Sequence, residues 1–357
     1  MPLVTSSARP DVTTTTDGCA ERTLDPAFWR EALSEYAEPS RLRSCGDVLT
    51  SAVAYLATGV GIYLAARVSV LLALGLAPVA GVFLLRTYIV FHDCSHGSFL
   101  ASRRGNLWLG ALFGLLVLSP FIRWRHDHAV HHATSGDLDK RGVGDVPTLT
   151  VAEYYARGRC GRVGYRLLRN PIVMFGLGPA FAMVIGPRLV ARRARPRMRK
   201  SVIWTDLALA GIAAGMVALI GFWDALLVWA PGAFLAGAAG IWLFYAQHQF
   251  EDAYWQRSAE WSFVDAALRG SSFLKLPGPL QYATGNIGYH HIHHLNARIP
   301  NYNLQRAHER VPMFQHVPTL GLRDGLRAVR FKLWDEQHGR LVTFAQARAT
   351  RTANVRG

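Results

Sequence analysis

Four apolar runs, arranged as two close pairs, restrict this chain more than any other feature. Val48–Ala66 and Val68–Phe91 are separated only by Arg67, and Val202–Phe222 and Ala225–Ala246 only by Trp223 and Asp224. Each run is close to the roughly 20 residues that cross the hydrocarbon core of a bilayer. The short connections make each pair a helical hairpin that crosses twice. Half of the 357 residues are hydrophobic and 18% are charged, less charge than a soluble protein of this length usually carries. The fold class predicted is an all-α integral membrane protein. It has four transmembrane helices in two hairpins, interfacial helices and a cytoplasmic histidine-rich cap.

Histidine supplies the second constraint. His92 and His96 follow the second run, His128, His131 and His132 come next, His248 closes the fourth run, and His290, His293 and His294 come last. The three sets read HxxxH, HxxHH and HxxHH. On a helix, residues three and four apart share a face, so each set is predicted to aim its imidazoles in one direction. Neutral imidazole is the commonest metal ligand. Two histidines at a helix end need no metal, nor does one solvated histidine-rich loop. Recurrence of one spacing more than 150 residues later calls for one. Eight or nine converging donors exceed what a single ion takes, so the pattern predicts two metals. His126 and His291 break the spacing and are read as supporting or surface residues. His308, His316 and His338 lie outside every set.

Ligating histidines need the other ring nitrogen held by a carboxylate, carbonyl or water. Asp93 and Asp127 are the first candidates, with Asp137, Glu251 and Asp252 also near in sequence. Asn286, four residues before His290, could hold a metal-bound water.

A single site requires all sets on one side of the membrane. Leu107–Ile122 has 16 residues. It would reach roughly 24 Å, short of the roughly 30 Å core. Ile172–Val190 is broken by Pro179 and Pro187. One crossing at 107–122 would part the first set from the second, so both stretches are read as interfacial or re-entrant. Arg86, one turn from the end of its run, is read as snorkelling.

Charge sets the orientation. Ala191–Lys200 reads ARRARPRMRK, six basic residues on the histidine side, whereas the two opposite loops carry only Arg67. The positive-inside rule puts the histidines and both termini in the cytoplasm. The same rule accounts for the net charge of +15, and no nucleic-acid-binding motif accompanies it. The four cysteines form no CxxC pair, which points to a reducing face without disulfides. The chain divides into a disordered tail over 1–24, an amphipathic segment over 25–47 on the membrane surface, a membrane domain over 48–320, and a basic cytoplasmic tail over 321–357.

Two irons can bind dioxygen and generate an oxidant that breaks an unactivated C–H bond. Histidine-bound zinc could instead activate water for hydrolysis. Zinc sites usually take four protein ligands, or three with an open position, so nine nitrogens suit two ions of higher coordination better. A metal-binding transporter or receptor would place polar residues at mid-membrane, where these runs show few.

At these residues the chain resembles the membrane fatty-acid desaturases, whose hallmark is three histidine boxes in this order. It is most similar to the acyl-lipid type acting in the Δ12 or ω3 region. His92-Asp-Cys-Ser-His96, followed by Gly-Ser-Phe, resembles the first box. The second box, after Trp124, carries the family ligands onto His128, His131 and His132. The third, in Gly285-Asn-Ile-Gly-Tyr-His290, carries them onto His290, His293 and His294. Pro300-Asn-Tyr302 and the extra histidine at His248 also resemble the family. The resemblance covers roughly residues 45–320.

The resemblance implies a diiron centre, O2 as co-substrate and two electrons from an external donor. With no haem-binding domain and no four-cysteine motif in the chain, the donor is another protein, a ferredoxin or a cytochrome. A basic cytoplasmic face would suit an acidic donor. The substrate implied is a fatty-acyl chain linked to membrane lipid, coenzyme A or a carrier protein. It would lie in an apolar tunnel under the metals, with Trp255, Trp261 and the 107–122 stretch as candidate walls. Hydroxylases, acetylenases and carotenoid-modifying relatives carry similar boxes, so product class, chain length and bond position stay open.

Overall fold

The computed structural model describes residues 25–190 and 194–356; the tail expected over 1–24 lies outside them. Among the described residues, four helices are long and apolar enough to cross a membrane: Arg41–Ala66, Val70–His96, Pro196–Ile220 and Phe222–His248. We call them spans one to four. Spans two and four run past their apolar stretches to His96 and His248, so each helix itself delivers histidines. Gly97, in the left-handed region at φ 70, then ends span two one residue after the first box.

Spans two and four cross through small residues. Ala80, Gly81, Gly232, Ala233 and Ala236 are buried between them. A Cβ on Gly232 would stand 2.9 Å from that of Ala80, so only glycine permits this approach. Small residues at the crossing are the usual basis of helix association in lipid. Span three does the reverse. Of its residues only Met198 and Val202 are buried, while Ile203, Trp204, Leu207 and Leu219 are exposed, as suits a lipid-facing helix. At the far turns Arg67 bonds Asp224 and lies 4.8 Å from the Tyr63 ring centroid. The hairpin tips therefore meet on one side, and the histidines lie at the other ends of the spans.

The two ambiguous stretches are sharply bent. Arg103–Leu116 meets Phe121–Thr134 at 101°, and Arg159–Leu168 meets Val173–Arg188 at 57°. The first bend turns through Leu118, at φ 53, and returns the second box to the first. Arg188 anchors the second pair. Its Nε donates to Asp206 of span three at 2.9 Å, and its Nη1 to the carbonyls of Leu118 and Met183 at 2.7 and 2.9 Å.

The cap is mostly helical, with five strands of two or three residues among the described residues. Leu333–Asp335 pairs in parallel with Leu149–Thr150 and antiparallel with Arg340–Val342, while Phe273–Leu274 pairs in parallel with Thr319–Leu320. Residues 333–342, within the stretch expected as a tail, thus build part of the cap and bury Leu333, Trp334 and Leu341. The 25–47 segment, expected on the membrane surface, also docks there. Trp29, Leu33 and Tyr36 are buried in one cluster with Ile292, Leu295 and Phe314, because its aromatic face matches the back of the third-box helix. Arg86, expected to snorkel, turns inward and is buried, because Asp47 and nearby carbonyls offer it partners inside.

Candidate metal centre

The ends of spans two and four, helix Phe121–Thr134 and helix His290–Leu295 bring nine histidines together. They separate into two clusters. His92, His96, His128, His132 and His293 form one; His131, His248, His290 and His294 form the other. Within each cluster the available ligand atoms all lie within 4.8 Å of one another.

The boxes are not the clusters. The expectation that each box points one way is corrected by helical geometry. At 3.6 residues per turn, positions i and i+4 differ by only about 40°, whereas i+3 and i+4 differ by about 100°. In the second box the i,i+4 pair, His128 and His132, enters the five-histidine cluster, and His131 turns to the other. In the third box the i,i+4 pair, His290 and His294, enters the four-histidine cluster, and His293 crosses over. Each cluster therefore needs both boxes.

The donors fit metal ions. His248 Nε2 and His290 Nε2 are 2.9 Å apart, His132 Nε2 and His293 Nε2 3.0 Å, and His128 Nε2 and His132 Nε2 3.1 Å. Nitrogens bound at about 2.1 Å to one ion at right angles stand about 3 Å apart. Hydrogen bonding leaves the set unsatisfied: His96 Nε2, His131 Nε2, His290 Nδ1, His293 Nδ1 and His294 Nε2 are buried without partners among the described residues. Burial first, then the charges of neighbouring histidines, holds His290, His293 and His294 well below the ordinary imidazole pKa. That favours the neutral ring, the ligand form. An all-imidazole set suits iron, copper or zinc.

One buried carboxylate meets each cluster. Asp93 Oδ1 accepts from His92 Nδ1 at 3.1 Å, and Asp145 Oδ1 accepts from His131 Nδ1 at 2.7 Å. Sequence reasoning missed Asp145, which sits 14 residues after its partner in a loop with no periodic signal. Asp127 goes elsewhere, 3.4 Å from Arg123 Nη2. So do Asp137, which pairs with Lys140 and accepts from Ser258, and Glu251, which pairs with Arg340. Asn286 adopts the left-handed conformation at φ 57, and its main chain closes the turn before His290. His126 is exposed; His291 is fully buried, facing away from the clusters with His308 at 3.3 Å.

The sequence matches the model of the fatty acid desaturase family over residues 69–318, which include all nine histidines. It is 44% identical over 312 residues to a fatty acid desaturase of Bacillus subtilis, covering 87% of this chain and 89% of the relative. The chain belongs to the fatty acid desaturase family. It is a membrane enzyme and an oxidoreductase. This desaturase is also 29% identical over 248 residues to an sn-1 acyl-lipid omega-3 desaturase (ferredoxin) of a Synechocystis species, with 65% of each chain covered. With an sn-1 oleoyl-lipid 12-desaturase of that species it shares 26% identity over 242 residues, covering 64% of this chain and 65% of the relative.

Two cavities adjoin below the clusters of the desaturase, and the smaller lies against the histidines. The smaller, of about 310 Å³, is lined by His92, His128 and His290. The larger, of about 700 Å³, is mostly apolar and lies between spans two and four and the 173–183 segment. Tyr88, Trp124, Gly240 and Phe244 line both. The expected walls are partly corrected. Val117 of the 107–122 stretch does line the larger cavity. Trp255, however, is buried in the cap with Leu138 and Phe250, and Trp261 Nε1 donates to the Ser135 carbonyl. Both tryptophans find partners within the cap.

Proposed function

We propose that the desaturase uses an iron pair to introduce a double bond into an acyl chain of a membrane lipid. One observation carries the reading: nine histidines divide into sets of five and four, and a small cavity lined by His92, His128 and His290 joins them to a larger apolar one. His92, His96, His128, His132 and His293 hold one iron, and His131, His248, His290 and His294 the other. Bound there, the irons activate dioxygen for C–H cleavage. Overall, two hydrogens from adjacent carbons, one dioxygen, two electrons and two protons are consumed, and one C=C bond and two waters result.

The chain's own residues do the positioning. Leu84, Leu85 and Val117 take the acyl chain out of water, at about 0.8 kcal/mol per buried CH2. Tyr88, Trp124 and Phe244 hold it beneath His92, His128 and His290. The burial of His131, His248, His290 and His294 limits the access of water to the inner cluster.

A lipid-borne chain is supported by the acyl-lipid wording of the Synechocystis relative and by the 173–183 wall, where Leu177 and Phe181 are exposed. The ferredoxin in that relative's name supports a ferredoxin-type donor. It would approach the part-exposed His96, His128 and His132. The basic residues between 192 and 200, against a lone Arg67 at the far turns, support a cytoplasmic centre.

Expression in a host without desaturases, followed by lipid profiling, tests the reading. A new unsaturated chain esterified in membrane lipid is the expected product. A hydroxylated chain would make the enzyme a hydroxylase. Turnover without oxygen, on zinc alone, would replace oxidation by hydrolysis.

A further inference from the structure

We infer that Asn301, braced by the ion pair Asp47–Arg86, positions His92 and so sets the strength of the five-histidine cluster. The inference rests on the ligand reading above. Its contacts begin within the second span. Arg86 is 4% exposed; its Nη2 donates to Asp47 Oδ1 at 2.9 Å, its Nε to the Thr50 carbonyl at 3.2 Å, and its Nη1 to the Tyr282 carbonyl. Asp47 Oδ2 accepts from Asn301 Nδ2 at 2.9 Å. The same amide reaches Asp93 Oδ2 at 3.0 Å, and the Asn301 backbone N–H reaches it at 2.7 Å. Asp93 Oδ1 then meets His92 Nδ1 at 3.1 Å. The start of span one, the body of span two and the residues after the third box thus close on one imidazole.

Packing alone does not account for this line. An arginine at this depth is unfavourable without a counter-charge, and Asp47 supplies one. A simple ion pair would be complete at that point. Here the second oxygen of Asp47 is engaged by Asn301, and Asn301 directs two N–H groups at a single oxygen of Asp93. Asp93, Asn301 and His92 are all at least nine-tenths buried. An imidazole whose Nδ1 is held by a fixed carboxylate offers Nε2 to a metal in a fixed plane. The other cluster lacks such bracing. Asp145 Oδ2 is buried without a partner among the described residues. The network therefore favours one metal position over the other.

The test titrates anaerobic full-length protein with ferrous iron, reading total iron by mass spectrometry and the two sites by Mössbauer spectroscopy. Asn301→Ala is expected to weaken one site about 10- to 100-fold, the usual effect of losing a group that orients a ligand. It should hold one iron where the unsubstituted protein holds two, regain the second in excess iron, and keep its Tm. Asp47→Asn should shift the same site by less. Asn301→Ser keeps the backbone donor and serves if the alanine variant does not accumulate. Unchanged affinity of both sites overturns the inference. So does loss of both irons together with a lowered Tm, the mark of a packing role. The unsubstituted protein reports on the ligand reading separately: fewer than two irons there would sink that reading first.

Discussion

The two histidine clusters use one ligand type and differ in almost everything else. The five-histidine cluster has three part-exposed members and a carboxylate tied into an extended polar network. The four-histidine cluster is wholly buried, and its carboxylate has a bare oxygen. The difference shows that two histidine clusters can be built from reciprocal boxes and still be unequal. They differ in how far their rings are exposed and in the partners of a single aspartate.

The most damaging substitutions separate neighbours. His131 and His132 are adjacent in sequence but belong to different clusters. Alanine at either position is expected to abolish product formation while the protein still inserts, and Mössbauer spectra should show a different site lost in each. Full turnover by either variant would remove that residue from the ligand set. Asp93→Asn and Asp145→Asn should come next, each weakening its own cluster about 10- to 100-fold. Iron titrations in which both variants lost the same site would contradict the one-carboxylate-per-cluster arrangement.

Acid should sharpen the contrast. Burial lowers the values of His290, His293 and His294, so the folded chain resists protonation where the unfolded chain, near pKa 6.5, accepts it. Stability and metal retention are therefore full above about pH 6.5 and fall as the pH drops toward the lowered native values. A chelator assay across pH should show release growing on acidification, with the part-exposed cluster emptying first. Release that grew with rising pH would reverse the assignment of these rings as neutral ligands.

Smaller effects test what both clusters share. Gly232→Leu forces spans two and four apart beneath them, and should cost about 1–3 kcal/mol, measured as a lower Tm in detergent. Arg67→Ala removes a half-exposed ion pair at the far turns and should cost at most about 1 kcal/mol by the same measurement. A larger loss would mean that the turns, and not the crossing, carry the scaffold.

The spans were legible in the sequence because hydropathy over 20 residues is a local property. The histidine spacing was legible because helical periodicity is local too. The reading of 107–122 and 172–190 as interfacial or re-entrant rests on parity, one site on one side, and the structure adds that both stretches are sharply bent. Arg86 was misread because snorkelling is the local default, and its actual partner lies 39 residues away at Asp47. Asp145 and Asn301 carry no periodic mark, since a loop carboxylate or a cap asparagine reads as solvated until folding buries it. Trp255 and Trp261, named as candidate walls, find their partners in the cap instead, and nothing local in the sequence marks those partners.

The sequence by itself determined that this chain crosses a membrane in hairpins and carries three sets of imidazoles at helical spacing, because both are written within a few turns of helix. Only the tertiary structure decided which imidazole joins which cluster. Adjacent side chains on a helix diverge by about 100°, so a box divides between two sites as soon as two helices face each other. That division depends on how the helices are placed, and no stretch of sequence records it.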